Sequence, residues 1–84
     1  MEKEKIVVIL KIHKRNEMFD LEVPLGITAN ELVIGLNTAF ELSIDVTDVK
    51  KCYLKCENPI VLLKGNRLLS EFGLRNGTII NYTE

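Results

Sequence analysis

Three side chains in this sequence have reactive or metal-binding chemistry: His13, the only histidine, and the two cysteines of KCYLKCE, residues 51 to 57. A catalytic thiol needs a neighbouring base or positive charge to lower its pKa, and a structural zinc site needs four ligands. Cys52, Cys56 and His13 fall one ligand short, and the cysteine spacing is wrong for a zinc knuckle. The alternation in CYLKC predicts a strand with Cys52, Leu54 and Cys56 facing inward. Strand residues four apart lie roughly 13 Å apart at ~3.3 Å per residue, whereas a disulfide needs Cα atoms within about 7 Å. The expectation is two unbridged core thiols, inert because burial raises their pKa, in a chain from a reducing compartment.

His13 falls in a polar turn with Lys14 and Arg15, the one local basic cluster, which reads as a solvated turn and not as a phosphate site or general base. Gly26, Gly35, Gly65, Gly73 and Gly77 form no phosphate-cradling loop. With no nucleophile, base and metal constellation in view, the sequence predicts no enzyme, no cofactor and no metal, and leaves binding as the function.

The elements that must position a binding surface follow from composition and periodicity. The chain has 84 residues, 46% apolar and 27% charged, which suits a single folded domain over residues 1–84. Its net charge is −1 with lysine and arginine scattered along it, so no long-range field favours nucleic acid. The longest apolar run, Ile6 to Leu10, is far shorter than the ~20 residues that span a bilayer, and the chain opens on a charged MEKEK. A cytoplasmic protein that does not insert into a membrane is therefore expected.

Residues 5 to 12, KIVVILKI, are apolar on both faces, as in a central strand. After a turn at His13 to Glu17, residues 18 to 25 alternate, with Phe19, Leu21, Val23 and Leu25 on one face and Met18, Asp20 and Glu22 on the other. Pro24 cannot donate to a ladder, which places the end of this second strand at a sheet edge. Thr28 and Glu31 have capping-box spacing, and Ala29, Leu32, Val33, Leu36, Ala39 and Phe40 then form one helical stripe. Asn30, Ile34, Asn37 and Glu41 are expected on the wet side. Gly35 in mid-helix costs about 1 kcal/mol relative to alanine, which suggests close approach of something on that flank.

A polar connection, Asp45 to Lys50, leads to CYLKC; Asn58-Pro59 turns the chain into a short strand, Ile60 to Leu63, and Lys64 to Asn66 turns it again. Leu68 or Leu69, with Phe72 and Leu74, packs a compact loop, and Asn76-Gly77 leads into a last strand, Thr78 to Tyr82. This order predicts an α+β domain of β-grasp type: a mixed four- or five-stranded sheet, one helix packed across it, and the first and last strands parallel in its centre.

The stretch LSEFGLRNGTIINY, residues 69 to 82, resembles the end of ubiquitin. FDLEVP, residues 19 to 24, ELVIGLNTAFELSIDVTDV, residues 31 to 49, and the ending NRLLSEFGLRNGT are similar to the ubiquitin-like YukD and EsaB proteins of Gram-positive type VII (WXG100) secretion systems. The resemblance implies a cytosolic accessory or regulatory component of that machinery, with a protein partner for which a membrane component of the system is the candidate. Ubiquitin and the sulfur carriers end in Gly-Gly, whereas Tyr82, Thr83 and Glu84 stand here, so a non-conjugated binding module is expected. A β-grasp adaptor of an unrelated pathway, and a sulfur or protein-modifier carrier lacking its Gly-Gly tail, are the alternatives. The sequence leaves the oligomeric state open.

With Phe19, Leu21, Cys52, Leu54, Ile80 and Tyr82 turned to the helix, alternation puts Val7, Ile9, Lys11, Tyr53, Lys55, Ile79 and Asn81 on the opposite face. Ubiquitin-like domains commonly bind partners through that face. Val7, Ile9, Lys11, Tyr53, Lys55 and Ile79 are thus the candidate protein-binding residues, against the plainer reading that lysine stems cover ordinary surface apolar area.

Overall fold

The run KIVVILKI forms β1 (Lys5–Ile12), and its two-sided apolar character is explained by a neighbour on each side. A computed structural model describes residues 4–83. After β1 come β2 (Glu17–Pro24), α1 (Ala29–Phe40), β3 (Leu54–Glu57), β4 (Val61–Leu63) and β5 (Ile79–Tyr82), with 3₁₀ turns at His13–Arg15 and Leu69–Phe72. The sheet has five strands in the order β2-β1-β5-β3-β4. β1 and β5 pair in parallel, Ile9 beside Ile79 and Leu10 beside Ile80, and every other pairing is antiparallel. This is the expected β-grasp, with Pro24 on an edge strand.

Alternation selects the packed face. Ile6, Val8, Leu10 and Ile12 of β1, Leu54 and Cys56 of β3, and Ile80 and Tyr82 of β5 are buried with Ala29, Leu32, Val33 and Leu36 of α1. Leu42, Leu63, Leu69 and Leu74 close the core from the connections and β4.

The helix starts where the sequence predicts. Thr28 Oγ1 accepts from the Glu31 amide at 3.1 Å, and the Glu31 carboxylate accepts from the Thr28 amide at 2.8 Å. The first two helical amides, of Ala29 and Asn30, donate to the carbonyls of Arg67 and Gly65, so the N-terminal donors that a helix leaves unpaired are satisfied by a distant loop. At the other end Glu41 turns left-handed, and Arg15 donates to the carbonyls of Phe40 and Glu41. The basic turn therefore does more than face solvent: Arg15 caps the helix C-terminus, where a cation also suits the dipole.

Several expectations are corrected. Asn30 and Asn37 do not simply face water. Asn30 Oδ1 accepts from the Gly65 amide at 3.0 Å, and Asn37 holds both the amide and the carbonyl of Ile44, at 2.8 and 3.2 Å. Each binds a returning loop to the helix flank, a partner that helical periodicity does not encode. Ala39, placed in the buried stripe, is exposed in the last helical turn, at the flank of the stripe. Gly35 is not approached closely, since a Cβ built there meets nothing within 4 Å. The third strand begins at Leu54, not Cys52: a turn in which the Lys51 and Cys52 amides both donate to the Asp48 carbonyl occupies the residues before it. The fourth strand excludes Ile60, which is 89% exposed, and the fifth begins at Ile79. Of Leu68 and Leu69, between which the sequence left the choice open, Leu69 fills the core.

Candidate protein-binding face

The helix covers one face of the sheet, and the opposite face holds the residues singled out above. The pairing register arranges them in rows. One row runs Asp20, Ile9, Ile79, Glu57 across β2, β1, β5 and β3, so the two isoleucines stand side by side between two carboxylates. The next runs Met18, Lys11, Asn81, Lys55, Leu62, which puts Asn81 between two lysines. Val7 lies one row to the other side, paired with Glu22 and 45% exposed. Ile9, Lys11 and Ile79 are half-buried and Lys55 is exposed. Tyr53, half-buried just ahead of β3, lines a hollow with Lys55 and Asn81 at the end of the face remote from Val7.

Beside the two isoleucines runs a polar chain that sequence reasoning did not find. The Glu57 carboxylate can only accept, so it takes Asn81 Nδ2 at 2.7 Å and leaves Asn81 Oδ1 for His13 Nε2, also at 2.7 Å. Asn81 is thereby fixed and 7% exposed, although it belongs to the outward face. His13 is the exposed turn residue expected, and its ring also ties the end of β1 to β5 through Asn81. Alternation alone had placed Asn81 here; the side chains that bind it come from elements distant in sequence. Met18 and Leu62, 63% and 40% exposed, extend the apolar area beyond the six candidates, and the same period-2 reading of β4 would have found Leu62.

The cysteines lie on the other side of the sheet, unbridged and buried. Burial pushes the Cys56 thiol up to about 12 and raises Cys52 as well. Among the described residues no cluster of three or more His, Cys, Asp or Glu side chains could hold a metal, and no helix is long and apolar enough to cross a membrane.

A family profile described as "WXG100 protein secretion system (Wss), protein YukD" matches residues 7–81. Among solved structures, the C-terminal ubiquitin-like domain of mouse tubulin-specific chaperone e is similar, with a TM-score of 0.71 at 12% identity over 100% of this chain and 92% of that one. The ubiquitin-like domain of an Arabidopsis thaliana protein gives a TM-score of 0.61 at 20% identity, over 92% of this chain and 73% of the other. At these identities the likeness concerns the fold. The comparison with curated proteins gives no match.

Proposed function

Since the chain belongs to the YukD family of WXG100 secretion-system proteins, we propose that it is a cytoplasmic, non-catalytic ubiquitin-like module that serves secretion by docking a protein partner on its open sheet face. One observation carries the choice of face. The parallel register sets Ile9 against Ile79 and frames them with Lys11, Asn81 and Lys55 on the side of the sheet that the helix leaves uncovered. An apolar centre with a charged margin is the usual anatomy of a protein contact. Binding accounts for the chain better than catalysis does, because its reactive groups are occupied or shielded: His13 faces Asn81, and both thiols are buried.

The test is export of a WXG100 protein from cells lacking this chain and complemented with wild type or with Ile9→Lys plus Ile79→Lys. Lysine at these positions faces Asp20 and Glu57, which offset the repulsion between the two new neighbours, and an unchanged melting midpoint would verify that the fold is kept. Wild type is expected to restore export and the double variant to leave it at the deletion level. Normal export without the chain would refute a role in secretion; normal export with the folded double variant would refute the choice of face.

A further inference from the structure

The end of the open face around Tyr53 differs in chemistry from its apolar centre. A cleft of about 430 Å³ lies there, lined by Lys14 from the turn after β1, Lys50 and Lys51 from the turn before β3, and Lys55 from β3. Segments far apart in sequence thus bring four lysines to one hollow, in a chain whose net charge is −1. Among the described residues the one salt bridge joins Arg67 to Glu71, so none of the four lysines is paired with a described carboxylate. Asp45 is the acidic residue among those lining the cleft, and its carboxylate is already engaged by the amide and hydroxyl of Thr47 at 3.1 and 2.6 Å. Ser43 and Tyr53, both hydroxyl-bearing, line the same cleft. A shallower, mainly apolar hollow adjoins it, sharing Lys55 and Asn81 and including Ile60 and Leu62.

We propose that this cleft receives an acidic segment of a partner protein, its Asp or Glu side chains lying among Lys14, Lys50, Lys51 and Lys55. The inference rests on the reading of the open face as a docking surface and names the chemistry of what docks at one end of it. Charge complementarity carries the choice of occupant: four lysines against the one lining carboxylate, Asp45, whose charge Lys51 already feels, leave an excess of positive charge that favours an anion. A protein segment is favoured over a nucleic acid because Asp20, Glu22 and Glu57 stand on the same face: a peptide can lay uncharged residues beside them, whereas a phosphate backbone carries its charge at every step.

The experiment titrates the isotope-labelled full chain, followed by NMR, with three probes: an acidic peptide of roughly ten residues, half of them Asp or Glu and the rest including Leu and Ile; the same peptide with Asn and Gln in place of the acids; and a single-stranded oligonucleotide of equal charge. The acidic peptide should shift the amides of Lys50, Lys51, Tyr53 and Lys55 saturably, about tenfold more tightly than its neutral counterpart and more tightly than the oligonucleotide, and weaken at high salt. Lys50→Gln with Lys51→Gln, both at exposed positions, should weaken it about tenfold at an unchanged melting midpoint. Shifts elsewhere or none, equal binding of the neutral peptide, or tighter binding of the oligonucleotide would each overturn the inference. The Ile9→Lys plus Ile79→Lys export assay stands apart from these outcomes: lost export there with no shifts in the cleft would retire the acidic segment and leave the docking face intact.

Discussion

The hydroxyl of Tyr82, near the end of β5, donates to the main-chain carbonyl of Leu42, just past the end of α1. Tyr82 is 8% exposed and Leu42 1%, so this bond joins the last strand to the helix exit inside the core. Replacing Tyr82 with Phe keeps the ring and strands a buried carbonyl, which should cost about 1–2 kcal/mol. Denaturant unfolding would measure it; a Phe variant as stable as wild type would mean that the carbonyl finds another donor.

Arg15 and the helix C-terminus form a second long-range cap. The guanidinium reaches the Phe40 and Glu41 carbonyls together, which one ammonium does poorly. Arg15→Ala should destabilise the fold by about 1 kcal/mol, and Arg15→Lys should recover only part of the loss through the dipole. If thermal melts rank Lys with wild type, charge alone accounts for the cap.

Gly35 offers the opposite sign. It is exposed in the middle of α1, and a methyl group there contacts nothing within 4 Å. Gly35→Ala should therefore stabilise the chain by about 1 kcal/mol, the difference in helix propensity. A loss of stability in chemical denaturation would contradict the open space around Gly35.

The Cys56 thiol predicts an alkaline limb. Its folded pKa is raised to about 12 from an ordinary 9.0, so above that ordinary value the unfolded chain loses a proton that the folded chain keeps. This contribution is fully present below about pH 9 and is lost as pH climbs from there toward about 12. Between roughly pH 8 and 10.5 the wild type should lose stability more steeply than Cys56→Ala, which is itself less stable at neutral pH by about 1 kcal/mol for the lost sulfur. Identical slopes would contradict the burial of the thiol, as would its rapid alkylation in the native state at pH 8.

Much of the architecture could be read from local pattern. The alternation of β1, β2 and β5, the Thr28–Glu31 box and the leucine and valine stripe of α1 are set by neighbours two to four residues away, and each lies within a residue of where it was expected. Local pattern failed where one side chain had a distant claim on it. Asn37 binds Ile44, Asn30 binds Gly65, and His13 and Glu57 converge on Asn81, so residues that periodicity assigns to solvent are held by the fold. Cys52 is buried as alternation requires yet lies between a turn and the strand, because inward burial does not demand a strand.

The sequence by itself determined which face of the helix and of the alternating strands is apolar, and so that a single helix must cover one side of the sheet. Only the tertiary structure decided the register of β1 against β5, which seats Ile9 beside Ile79, and the gathering of Lys14, Lys50, Lys51 and Lys55 at one hollow. The physical reason is range: side-chain periodicity is fixed by the backbone within a few residues. Pairing between segments some seventy residues apart is settled by the packing of the whole core.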